Sequence, residues 1–232
     1  MKKIIFKGCG TAIATPFNEK GVNLPEFSKL VEEQIKQGVD GIIVCGTTGE
    51  SATMTEEERL QTIECAVKIS NGRVPIIAGT GSNNTKAVIE MNKKVEKIGV
   101  DGVLVVTPYY NKTTGEGLVR HYSEIAKNTT LPIILYNVPS RTGVNIKPEI
   151  ALKLSKIENI VAIKEASGDL SQIAQTINLC RDNLKVYSGN DDQIIPILSL
   201  GGIGVISVLS NIKPKYTHEM CYNYFDGNVK KA

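Results

Sequence analysis

Eight short runs rich in valine and isoleucine recur along the chain, and most of them do not alternate apolar with polar residues. They are GTAIATPF from Gly10, GIIVCGTTG from Gly41, VPIIAGTG from Val74, GVLVVTPYY from Gly102, PIILYNVP from Pro132, IVAIKEAS from Ile160, KVYSGND from Lys185 and GVISVLSN from Gly204. A strand with one wet face alternates, so unbroken runs of this length suit parallel strands covered on both sides. Helical periodicity fills the intervals. Phe27, Leu30, Val31 and Ile35 fall on one face, as do Val88, Met91, Val95 and Ile98, while Thr55 to Glu58 reads as a capping box ahead of Leu60, Ile63 and Val67. Gly38, Gly72 and Gly99 stand where those helices should close.

The pattern also repeats internally. QGVDGIIV from Gln37 resembles IGVDGVLV from Ile98, and VPII from Val74 resembles LPII from Leu131, each pair separated by two strand-helix units. Eight such units without a long linker or a break in composition predict one closed (β/α)8 barrel, the TIM-barrel architecture, over residues 1–227. Neither a G-x-G-x-x-G nor a G-x-x-x-x-G-K-[ST] fingerprint occurs, which argues against a doubly wound nucleotide-binding sheet and leaves GTGSNN at Gly79 as a barrel loop.

Composition narrows the function classes. The chain has 232 residues, 41% of them hydrophobic and 22% charged, which excludes disorder as its main state. Its 27 basic and 24 acidic side chains leave a net charge of +3, too small and too evenly spread to point to nucleic acid or a membrane surface. The five cysteines include no C-x-x-C pair and the chain has two histidines, so the expectation is reduced thiols and no metal. MKKIIFK is too short in apolar residues for a signal peptide, which suggests the cytoplasm. Residues 193–212 are uncharged, but Pro196, Gly201, Gly202 and Gly204 interrupt them, so they read as a buried helix, turn and strand.

Barrels of this kind place their chemistry at the C-terminal ends of the strands. Lys164 closes the sixth run behind Ile160, Val161, Ala162 and Ile163. Burial there would lower its pKa and free the amine to attack a carbonyl; the competing reading pairs it with an acid such as Glu165 or turns it outward. Tyr136 ends the fifth run, and Tyr109 and Tyr110 the fourth, so phenols for proton transfer stand around the same rim, unless they merely fill the top layer. The glycines of GTTGES (46–51) could let backbone N–H groups converge on a carboxylate, or form only a tight turn. Arg141, after the fifth run, could clamp a second carboxylate or decorate the surface.

Together GTTGES (46–51), TPYYN (107–111), YNVPSRTG (136–143), IKEASGD (163–169), YSGND (187–191) and GGIGVISV (201–208) resemble, in order and separation, the dihydrodipicolinate synthase family. The resemblance runs from near Gly8 to about Phe225. It implies condensation of pyruvate with aspartate semialdehyde by class I aldolase chemistry, with no metal or organic cofactor. By that resemblance Lys164 is the Schiff-base lysine and Tyr136 the general acid/base. Thr47 and Tyr110 look like its proton-relay partners, with Tyr110 supplied by a neighbouring subunit, and Thr48, Gly189 and Ile206 match positions lining the pyruvate pocket.

Arg141 would then meet the carboxylate of aspartate semialdehyde, which disfavours a related lyase acting on sialic acid or a 2-keto-3-deoxy sugar acid. A catalytically silent barrel is the remaining alternative. The family is usually a homotetramer whose members continue for about sixty further residues of helices, so residues 228–232 read as the start of a truncated helical extension, with self-association expected to be weakened or altered.

Overall fold

The structure, a computed structural model, describes residue 2 and residues 4–232. The eight runs form eight parallel strands, β1 (Gly8–Ala12), β2 (Gly41–Val44), β3 (Ile76–Gly79), β4 (Gly102–Val106), β5 (Ile133–Asn137), β6 (Ile160–Glu165), β7 (Lys185–Ser188) and β8 (Gly204–Ser207), closed into a barrel by pairing of β1 with β8. A small hairpin, Phe17–Asn18 with Gly21–Val22, follows β1.

Helices alternate with the strands: α1 (Leu24–Lys36), α2 (Glu56–Ser70), α3 (Thr85–Ile98), α4 (Gly115–Lys127), the short α5 (Pro139–Thr142), α6 (Pro148–Leu154), α7 (Leu170–Cys180), α8 (Ile194–Ser199) and α9 (Pro214–Phe225). Residues 193–212 are thus a short helix, a turn and a strand, and no described helix is long and apolar enough to cross a membrane. After α9, residues 228–232 coil into turns, with the N–H groups of Lys231 and Ala232 donating to the Asn228 carbonyl.

Two hydrophobic layers explain the unbroken apolar runs. Residues such as Ile42, Val103, Leu135 and Ile163 face the helices, while Ile43, Leu104, Ile134 and Ala162 fill the barrel interior. The capping box forms as expected, with Thr55 and Glu58 exchanging side-chain and backbone hydrogen bonds. On α1 the reading was partly wrong: Gln34 is buried, held by Thr11 and the Ser210 carbonyl, whereas Leu30 is exposed. A satisfied polar group can occupy the core-facing stripe as well as an apolar one.

The internal repeat has a structural basis at the N-terminal end of the barrel. The Asp40 carboxylate accepts from the Cys9 N–H at 2.8 Å, and the Asp101 carboxylate accepts in the same way from the Ile76 N–H at 2.8 Å. Each aspartate returns its own N–H to the carbonyl of the same partner residue. That end is plugged by Phe6, whose ring stacks on Tyr187 at 4.5 Å and whose carbonyl accepts the Tyr187 hydroxyl. A Cβ at Gly10 would lie 2.5 Å from the Phe6 ring, so a side chain at this strand position would have to displace the plug. The plug seals one end and leaves the opposite rim for ligands. All five cysteines are free, and burial pushes the thiols of Cys9, Cys45, Cys180 and Cys221 up, keeping them protonated.

Candidate active site

Lys164 is aimed by an irregularity in its strand. Ile133 of β5 pairs with Ile160 but Ile134 pairs with Ala162, so Val161 is an extra residue on β6. Val161 and Ala162 therefore both join the interior cluster, and alternation from Ala162 sends Ile163 outward and Lys164 inward. Without the bulge, alternation from Ile160 would place Lys164 among the helices. Nothing in the sequence signals this shift.

The same alternation removes Glu165 as an ion-pair partner. Neighbouring strand residues point to opposite faces, and Glu165 lies behind the barrel wall, where its carboxylate accepts from Asn137 and the Ser167 N–H. Lys164 is 4% exposed, and its Nζ sits 4.4 Å from the centroid of the Tyr136 ring. Burial lowers its pKa to about 8; Asp191 opposes that shift and Arg141 adds to it. Tyr136 and Lys164 are register partners on adjacent strands, so proximity of phenol and amine is built into the sheet. Burial pushes the Tyr136 phenol up, offset in part by the Thr47 hydroxyl and the positive charge of Arg141.

These residues line a cavity of about 350 Å³ at the C-terminal rim, together with Thr48, Gly189 and Asp191. A Cβ at Gly189 would fall 3.1 Å from Lys164 Cε and 2.7 Å from Ala166 Cβ, so glycine there leaves room for the lysine stem. Arg141 is carried into the lining by α5, and among the described residues no carboxylate lies within ion-pair distance of it. A free guanidinium and a buried amine facing one cavity suit a substrate set carrying a carboxylate and a carbonyl. Among the described residues no group of three or more His, Cys, Asp or Glu side chains could hold a metal ion.

The remaining expectations divide. Ile206 is fully buried in the barrel interior and is not among the residues lining the cavity. Tyr110 is 91% exposed on the loop after β4, with φ of 68°, and does not line the cavity of its own chain; Tyr109 lies on the same loop. In GTTGES the left-handed residue is Glu50, with Cys45 just ahead of the segment, rather than either glycine.

Asp191 went unread. Its carboxylate accepts from the Ser207 hydroxyl at 2.5 Å and from the Val208 and Leu209 N–H groups at 3.1 and 2.9 Å, tying the β7 end to the β8 end. An aspartate in a loop carries no periodicity to betray it. A larger cavity of about 690 Å³ lies apart, against α4 and the loop before it, lined by residues such as Lys112, Arg120 and His121.

Comparison with known proteins agrees with this geometry. A model of the dihydrodipicolinate synthetase family matches residues 5–232. The chain is 58% identical over 228 residues to 4-hydroxy-tetrahydrodipicolinate synthase 1 of Clostridium acetobutylicum, spanning 98% of this chain and 78% of that protein. It superposes on dihydrodipicolinate synthase from Thermotoga maritima with a TM-score of 0.96 at 47% identity, covering 98% of this chain and 79% of the other. With the chloride-inhibited enzyme from Acinetobacter baumannii in complex with pyruvate the TM-score is 0.95 at 44% identity, covering 97% and 78%. The closed barrel, the rim cavity and these likenesses together mean that the chain belongs to the dihydrodipicolinate synthetase family.

Proposed function

We propose that the protein condenses pyruvate with aspartate semialdehyde to give 4-hydroxy-tetrahydrodipicolinate, the lyase reaction named in its relatives, with Lys164 as the imine-forming residue. The observation that carries the reading is Lys164 itself, an amine buried at the floor of the rim cavity and lowered to about 8. An amine with that pKa is substantially neutral near pH 8 and can attack C2 of pyruvate; loss of water leaves a protonated imine. The imine withdraws electrons from C2, the methyl group gives up a proton, and the enamine carbon attacks the aldehyde. Tyr136 donates to the developing alkoxide. The amino group of the second substrate then adds to C2, and Lys164 is released as the ring closes.

Thr47 and Tyr110 complete the proton relay, with Tyr110 reaching Tyr136 from a second copy of the chain. Its exposure and left-handed backbone support this reading, since a large apolar ring held almost wholly in water on a strained loop has no partner within its own subunit. Thr48 and Gly189 border pyruvate, and Ile206 supports that pocket from the interior beneath. Mass spectrometry of the products tests the reaction: the expected product forms from pyruvate and aspartate semialdehyde, and no cleavage of sialic acid or 2-keto-3-deoxy sugar acids accompanies it.

Arg141 belongs to the second substrate. Arg141→Ala should leave pyruvate labelling of Lys164 nearly intact while kcat/KM for aspartate semialdehyde falls about ten- to a hundredfold, the effect of losing a charge-assisted contact of roughly 1.5–3 kcal/mol. Equal loss of labelling and turnover would mean that Arg141 holds the rim together instead.

A further inference from the structure

Behind the catalytic pair lies a buried carboxylate that the reaction above does not use. Tyr136 and Lys164 face each other inside the barrel, and the next residues on the same two strands, Asn137 and Glu165, face each other outside it in the same register. Glu165 is 1% exposed and Asn137 is fully buried. Among the described residues no cation pairs with Glu165; it is held by neutral donors alone. Asn137 Nδ2 donates to both carboxylate oxygens, at 3.0 and 3.1 Å, and the Ser167 N–H donates to one of them at 2.9 Å.

A buried carboxylate without a cation opposes folding, so its presence calls for a compensating use. The contacts of Asn137 show where that use lies. The same Nδ2 donates to Asn145 Oδ1 at 2.9 Å, and Asn137 Oδ1 accepts from the Ile146 N–H at 2.9 Å. Residues 138–146 therefore leave and return to one asparagine, and they carry Arg141. Asn145 is in turn tied to Gln172 of α7 by a reciprocal amide pair at 2.7 and 3.1 Å. One carboxylate thus joins the strand of Tyr136, the strand of Lys164 and the segment of Arg141.

We propose that Glu165 is a positioning residue for the reaction: by clasping Asn137 outside the barrel it holds Tyr136, Lys164 and Arg141 in their working geometry inside it. The proposal rests on the reading of Lys164, Tyr136 and Arg141 given above. It requires the ionised form, because a protonated carboxyl presents a donor to Asn137 Nδ2 and weakens the clasp. Burial pushes the Glu165 carboxyl up, its hydrogen bonds to Ser167 and Asn137 oppose that, and Asp169 adds to it. The other groups packed on it, Asn137 on β5, Ser188 on β7 and the Asn145 and Gln172 amides beyond, do not titrate. The ionised clasp is present above the raised pKa and is lost as pH falls through it.

Glu165→Gln imitates the protonated form at every pH. At pH 8 its kcat should fall about ten- to a hundredfold, the effect of a small misplacement of reacting groups, with KM for pyruvate within about twofold and one pyruvate adduct still trapped at Lys164. The acid limb of kcat, measured where Lys164 is already an imine, should flatten. The melting temperature should not drop, since a desolvated charge has been removed.

A wild-type kcat with a wild-type acid limb overturns the proposal. So does a loss of kcat that follows a lowered melting temperature and keeps the acid limb. If Glu165→Gln does not fold, Asn145→Ala decides: it leaves Glu165 and Asn137 joined but frees the Arg141 segment from α7. It should raise KM for aspartate semialdehyde severalfold with Lys164 labelling unchanged, and no change in that KM overturns the proposal. Absence of an adduct at Lys164 in the wild-type protein would instead overturn the proposed function itself.

Discussion

Pyruvate followed by borohydride should add one stable adduct at Lys164, and Lys164→Arg should abolish it while lowering kcat/KM on the order of a thousandfold or more. Arginine keeps its charge at all working pH values and cannot become the nucleophile. For the wild-type protein, labelling at limiting pyruvate should rise with pH through about 8, because burial lowers the Lys164 amine to that value and only its neutral form attacks. Peptide mapping by mass spectrometry reads both results. An adduct on any other lysine would remove the imine chemistry from this cavity.

Lys164 also sets a stability profile. An unfolded lysine keeps its proton to about pH 10.5, whereas the buried one releases it near 8, so between those values the unfolded chain binds more protons and stability rises with pH. Below pH 8 the full penalty, on the order of 3 kcal/mol, weighs on the folded state. Lys164→Met should therefore be inactive yet melt no lower than the wild-type protein at pH 7.

Tyr136→Phe and Tyr110→Phe should each lower kcat by about 10²–10⁴, the usual effect of deleting a general acid/base or its partner. Their combination separates the roles. If Tyr110 serves the neighbouring subunit, co-expression of the two inactive chains creates mixed dimers in which one site has both phenols and the other has neither. Activity should then return to roughly a quarter of the wild-type level, since about half the dimers are mixed and half of their sites are intact. Coexpressed chains as inactive as either parent would place Tyr110 in its own subunit's site or outside the reaction.

The strands and their order were legible because a barrel strand buried on both faces writes itself as an unbroken apolar run. The place of Lys164 and Tyr136 on the cavity rim was legible for the related reason that a polar side chain ending such a run stands at the mouth of the barrel. What the sequence left hidden depends on contacts between distant positions. Asp191 matters through Ser207 and Leu209, and Phe6 through Gly10 and Tyr187. Glu165 was open to being read as a partner for Lys164 because adjacency in sequence looks like proximity, yet in a strand it means opposite faces. Tyr110, which the sequence places beside Tyr136 on the rim, stands away from its own chain's cavity because the loop after β4 projects it into water.

The extra residue at Val161 makes the length of β6 a carrier of chemistry in its own right. Substitutions there trim packing, and Val161→Ala should leave an active enzyme. Deleting Val161 itself only removes the bulge and leaves Lys164 facing inward, whereas deleting Ile163, beyond the bulge, inverts every side chain that follows while Ala162 keeps its pairing, swinging Glu165 into the barrel and Lys164 outside it. Such a chain should yield no pyruvate adduct even if the barrel still closes, because a carboxylate would occupy the place of the amine. Drift by substitution and drift by insertion or deletion are thus unequal at this strand: the first alters how well the reaction runs, the second decides which functional group the cavity contains.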